Sequence, residues 1–175
     1  MAAVGSNKAL FAFRQVKPVD TVLVRAALEG FLLVVVTLAM LSGAGLIGYE
    51  VIPHDPLKVL AALIGMWLCG LGLGLVFSVV GELFPEFANV LRLIFMPLYF
   101  ISGVMYPIFM VPQPYRSWLF YNPLLNGVEV LRGGFFSHYR PMPEASLAYL
   151  FVIGLIVVFF GLALHVRYSQ TLISR

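Results

Sequence analysis

Apolar residues in this chain are gathered into four long runs, with short polar stretches between them. A hydrocarbon core about 30 Å thick takes about 20 helical residues to cross. Residues 28–48, 57–80, 90–110 and 145–165 each meet that length. In the first run, positions 31–47 hold no ionisable side chain, and the run ends in Ser42, Gly43, Ala44 and Gly45 before Tyr49 and Glu50. The second carries Gly65, Gly70, Gly72 and Gly74. Glycine at this density weakens a soluble helix, whereas in a bilayer it lets neighbouring helices approach closely. Gly70 and Gly74 have the small-xxx-small spacing of a packing face. Pro97 lies inside the third run and predicts a kink there, and Tyr149 and Tyr168 bracket the fourth as interface markers.

Residues 111–144 break this rhythm. The segment is too polar and too rich in proline for another crossing, yet Trp118, Phe120, Tyr121, Leu124, Leu125, Val128, Val130 and Leu131 form two short apolar pieces divided at Asn122-Pro123. A helix-break-helix that dips into the bilayer and returns fits the pattern. A hairpin lying flat among the headgroups fits it as well. The expectation is therefore an all-α membrane protein forming one domain, 1–175. It has a cytoplasmic segment at 1–27, four crossings, a re-entrant segment at 111–144 and a tail at 166–175.

Composition supports this reading. Hydrophobic residues make up 61% and charged ones 11%, against roughly half and about a quarter in soluble domains. So apolar a surface needs lipid as its solvent. The net charge of +3 comes from cations scattered along the chain, which argues against nucleic-acid binding. Four crossings put Lys8, Arg14, Lys17, Arg25, Arg92, Arg167 and Arg175 on one side and Lys58, Arg116, Arg132 and Arg140 on the other. The richer side, holding both termini, is expected in the cytoplasm. Residues 1–20 lack the basic stretch, apolar core and cleavage site of a signal peptide, and Cys69 has no cysteine partner.

Motifs for chemistry are missing: the sequence has no phosphate-binding GxxxxGK[ST], no HExxH and no GxSxG. No catalytic, cofactor or metal residues are expected. His54, His138 and His165 read as interfacial side chains. The runs lack central ionisable residues, unlike ion-coupled transporters. Glu129 and Arg132, three apart, share a helical face and can neutralise one another at membrane depth. Near the N-terminus, Leu10, Phe11 and Phe13 precede Arg14, Lys17 and the Asp20 cap. An apolar tip followed by basic residues suits docking to a soluble partner, and equally a helix on the membrane surface.

Two stretches carry a family resemblance: Pro97-Leu98-Tyr99-Phe100-Ile101-Ser102-Gly103-Val104-Met105-Tyr106-Pro107, and Tyr121-Asn122-Pro123-Leu124-Leu125-Asn126-Gly127-Val128-Glu129-Val130-Leu131-Arg132 continuing to Tyr139. With them the chain resembles the permease subunits of type-2 ABC exporters, in the capsular polysaccharide and O-antigen (polysialic-acid type) export group. The resemblance implies a multi-pass permease of the bacterial inner membrane, working as two copies. ATP and Mg would be handled by a separate ATPase subunit, and the substrate would be a polysaccharide or glycolipid. It makes Leu10, Phe11, Phe13, Arg14 and Lys17 part of the ATPase-coupling loop. Trp118, Tyr121, Asn122, Pro123, Glu129, Arg132, Phe135 and Phe136 become the re-entrant gate and substrate path. The aromatic rings there, with Tyr139, suit either packing against sugars or anchoring at the interface. Family members have six spans behind an interfacial helix, so the helix and first two spans are expected to lie outside this sequence. Related readings are drug efflux by a similar permease and a membrane scaffold that transports nothing.

Overall fold

The computed structural model describes residues 17–174 of the chain. Every regular element among them is helical: α1 (Pro18–Leu46), α2 (Pro56–Leu83), α3 (Pro85–Ile101), a 3-10 turn at Ile108–Met110, α4 (Tyr115–Leu119), α5 (Pro123–Phe135) and α6 (Leu147–Ser174). Proline opens α1, α2, α3 and α5, a position where its missing N–H costs nothing and its fixed φ suits the helix. At the start of α1 the Asp20 carboxylate accepts from the Lys17 amide, 2.8 Å away. Asp55 caps α2 by accepting from the Lys58 amide at 3.2 Å, and Lys58 Nζ lies 2.9 Å from the same carboxylate. These Lys58 donors hold the Asp55 carboxyl below its ordinary value.

Among the described residues three helices are long and apolar enough to cross a membrane: Pro18–Leu46, Pro56–Leu83 and Leu147–Leu172. They outrun the apolar stretches because polar caps set a helix's ends while the apolar run marks only the lipid-facing part. The predicted run at 90–110 is replaced by α3, which starts at Pro85 and ends at Ile101 after 17 residues. Two causes act at its ends. Pro85 supplies an early start, and Gly103, at φ +69°, turns the chain out of the helix. Pro97 does sit inside the helix.

Around α2 the other helices are arranged at two distinct closeness levels. With α6 it runs parallel: Gly65 faces Leu150, Gly72 faces Val157 and Val158, and Leu75 faces Gly161. A Cβ at Gly72 would lie 2.8 Å from the Val158 nitrogen, and one at Gly161 would lie 2.5 Å from Leu75 Cβ. The helices meet backbone to backbone, the geometry small residues permit in membranes. The packing face expected at Gly70 and Gly74 is therefore displaced to Gly65 and Gly72, because an added Cβ at Gly70 or Gly74 meets nothing within 4 Å. Those two glycines instead line an open cleft of about 310 Å³ between α1 and α2. There Trp67 Nε1 donates to the Ala26 carbonyl at 3.1 Å and spans the gap.

Buried Val22, Leu75, Val79 and Leu172 form the core at the end where α1 begins and α2 and α6 finish. Beside it His165 is buried in α6, its Nε2 2.9 Å from Ser78 Oγ. It was expected at a helix end, among interfacial groups. The helix continues to Ser174, with a non-helical residue at Tyr168, and so places the ring inside the α2–α6 seam. Buried Ala62, Leu125 and Leu150 mark the opposite end, where α2 and α6 start.

Candidate functional site

The segment 111–144 folds as two short helices, α4 and α5, divided at Asn122-Pro123. The break follows from local chemistry. Asn122 is in extended conformation, its Oδ1 accepts the Leu124 amide at 3.0 Å, and Pro123 occupies the first helical position.

α5 does not stay at the end of the bundle. It runs back along the first half of α2. Gly134 lies against Asp55 and Val59, Gly127 against Met66 and Leu150, and Leu124 shares a cleft with Leu73. By Met66, α2 has risen roughly 16 Å from its Asp55 cap, about half a hydrocarbon core. The C-terminal end of α5 is tied down where the Asp55 amide donates to the Gly134 carbonyl at 2.8 Å and the His54 amide to the Phe135 carbonyl at 3.3 Å. Glycines on α5 make the close approach possible, since a Cβ at Gly127 would lie 2.6 Å from Met66 Cγ.

The break itself is held by Asn126, which is 1% exposed. Its Nδ2 donates to the Phe120 and Asn122 carbonyls at 2.8 and 2.9 Å, and its Oδ1 accepts the Ser146 amide at 3.0 Å. Tyr149 at the start of α6 donates its hydroxyl to the Tyr121 carbonyl at 2.9 Å. One amide and one phenol thus lock α4, α5 and α6 together. Tyr149, expected to mark an interface, is committed to this contact.

One turn further on, Glu129 is buried at 1% exposure. Arg132 Nη1 lies 3.4 Å from its Oε1, so the expected pair forms, but neither partner is confined to the other. The Tyr139 hydroxyl donates to both carboxylate oxygens at 2.8 and 2.9 Å. Arg132 donates from Nη2 to the Val104 carbonyl at 2.8 Å and from Nη1 to the Tyr106 carbonyl at 3.2 Å. Burial, reinforced by the Glu129 carboxylate, pushes the Tyr139 hydroxyl up to about 12. It stays a donor throughout the physiological range.

The eight residues assigned to a gate and substrate path thus fall into separate groups. Trp118, Tyr121 and Phe136 are exposed, at 73%, 77% and 56%. Phe135 is half-buried and stacks edge-on with Phe136 at 5.1 Å between centroids. Asn122 and Pro123 form the break, and buried Glu129 and partly exposed Arg132 form a polar network. Tyr139 joins that network through its hydroxyl. Of the coupling segment, Leu10, Phe11, Phe13 and Arg14 lie outside the described residues, and Lys17 is exposed just before α1. Asn126, Tyr149 and the Val104 and Tyr106 carbonyls escape sequence reasoning. Asn126 alone leaves a trace there, as an amide in an otherwise apolar run four residues after Asn122.

Comparison with known proteins adds an independent line. The profile of the ABC-2 type transporter family matches residues 8–136. The chain is 35% identical over 176 aligned positions to the polysialic acid transport protein KpsM of Escherichia coli, covering 99% of this chain and 67% of that protein. It is 26% identical to the capsule polysaccharide export inner-membrane protein CtrC of Neisseria meningitidis serogroup A, covering 97% and 64%. The capsule polysaccharide export inner-membrane protein BexB of Haemophilus influenzae is 25% identical, with the same coverage. The chain spans about two thirds of the length of these curated relatives.

Proposed function

The chain belongs to the ABC-2 type transporter family, and on that premise we propose that it is the membrane-spanning part of an ATP-driven exporter of capsular polysaccharide or a related lipid-linked glycan. The relatives named for polysialic acid and capsule polysaccharide support the substrate class over drug efflux. In this reading α3 is a fourth crossing, both termini are cytoplasmic, and α4 and α5 re-enter from the outer face. Leu10, Phe11, Phe13, Arg14 and Lys17 dock a separate ATPase, which holds ATP and Mg. Two permease copies enclose the path.

The observation that carries the reading is the placement of α5, packed along the first half of α2 with its N-terminus towards the middle of that helix; with the termini in the cytoplasm this is the outer half. A short helix held there by its glycines and by Asn126 stands across the outward route while the rings of Trp118, Tyr121 and Phe136 remain uncovered. Flat aromatic faces of this kind suit sugar rings. The mechanical work comes from the ATPase, and the permease contributes a path with a movable outer end.

Affinity purification from membranes co-expressing the permease and an ATP-hydrolysing subunit tests the proposal. The ATPase is expected to co-purify and glycan to reach the cell surface. Phe11→Ala with Arg14→Ala is expected to cut recovery at least tenfold. A permease that never retains an ATPase belongs with membrane scaffolds instead.

A further inference from the structure

We propose that Arg132 is a positioning residue that clasps the outer end of α5 to the turn after α3 and thereby limits how far the cleft between those helices can widen. The proposal rests on the exporter reading and assigns what restrains its outer gate.

An apolar cleft of about 410 Å³ separates α3 from α5, lined by Leu98, Tyr99 and Val104 on one side, Leu124 and Val128 on the other, and Met66 behind. At its outer end the two sides are joined. Gly103, at φ +69°, sets the turn so that a Cβ there would lie 3.1 Å from Leu125. From α5 the Arg132 guanidinium reaches the Val104 and Tyr106 carbonyls.

The distances decide between two roles for Arg132. Were its task only to neutralise Glu129, its shortest bond would be to that carboxylate. Instead the shortest is to the Val104 carbonyl, at 2.8 Å, and Glu129 lies at 3.4 Å. A planar fork with five donors can hold two carbonyls and a carboxylate at once, which a lysine ammonium cannot do in the same plane. Glu129 fixes the fork's rotation, and Tyr139 fixes Glu129 through two hydrogen bonds. The order of control therefore runs from Tyr139 through Glu129 and Arg132 to the turn. Removing the fork frees the Val104 and Tyr106 carbonyls, and with them the turn after α3, from α5.

The test uses a Val128→Cys reporter on the cleft wall, labelled with a membrane-impermeant maleimide in cells carrying the permease and its ATPase. Cys69, buried between α2 and α6, is the internal reference for folding, and an exposed His138→Cys reporter identifies the accessible side. Arg132→Lys keeps the charge and loses the fork, and the Glu129→Gln/Arg132→Met double variant removes both charges. Both are expected to raise Val128→Cys labelling at least tenfold with Cys69 still protected, and Tyr139→Phe to raise it about threefold. Labelling that stays within twofold in Arg132→Lys or in the double variant overturns the clasp and leaves a pair that merely neutralises. If His138→Cys labels only from the cytoplasmic side, the exporter topology fails. The same comparison in inverted vesicles then still reads the clasp. A variant that exposes Cys69 is replaced by Arg132→Gln, judged against the same tenfold and twofold limits.

Discussion

Glu129 and Asn126 show how a buried polar side chain can specify a shape in an apolar segment. Each is 1% exposed, and each is satisfied by groups from more than one element. A buried polar group left without partners costs about 1–3 kcal/mol, so the surrounding backbone is held to the one arrangement that satisfies it. Asn126→Ala strands the Phe120 carbonyl and the Ser146 amide, while the Asn122 carbonyl keeps the Asn126 backbone amide. It is expected to lower stability by roughly 2–4 kcal/mol, read from the unfolding midpoint in mixed detergent micelles. A change under about 0.5 kcal/mol contradicts the role given to Asn126. At this scale the sequence was least legible. The Glu129–Arg132 pair was readable because its partners are three apart on one helix. Tyr139, ten residues on, and His165, which meets Ser78 across 87 residues, were not, because only the tertiary fold brings them together.

At the scale of elements, three of the four apolar runs and the break at Asn122-Pro123 were legible, since lipid imposes length and proline imposes punctuation. Which glycines pack was not. Gly70 and Gly74 have the expected spacing, but spacing fixes a helical face without fixing which neighbour, if any, lies against it. The seam with α6 uses Gly65 and Gly72 instead. The two sets predict opposite responses to the same substitution. Gly70→Ala enters open space and gains helix propensity, up to about 1 kcal/mol. Gly72→Ala sets a methyl 2.8 Å from the Val158 nitrogen and is expected to cost roughly 1–3 kcal/mol by forcing α2 and α6 apart. Denaturation in sodium dodecyl sulfate mixtures measures both, and equal effects contradict the assigned seam. The third apolar run was misjudged at both ends for a related reason. Hydropathy continues through Val104 to Met110, while Gly103 has already turned the backbone away.

The whole molecule combines a tight α2–α6 pair, a loosely attached α1, and a short helix lodged along the first half of α2. That division suits a transporter. Close backbone packing makes a rigid post, and the cleft beside α5 leaves a part free to move. It also sets an arrangement in space, with the starts of α2 and α6 and the α4–α5 pair at one end and the starts of α1 and α3 at the other. The most direct test is two-sided cysteine labelling at four exposed positions, His54, Phe84, Trp118 and Arg167, in intact cells and after permeabilisation. The account predicts that His54→Cys and Trp118→Cys label from outside, and Phe84→Cys and Arg167→Cys only once the membrane is opened. Labelling of Trp118→Cys together with Phe84→Cys from the same side contradicts it.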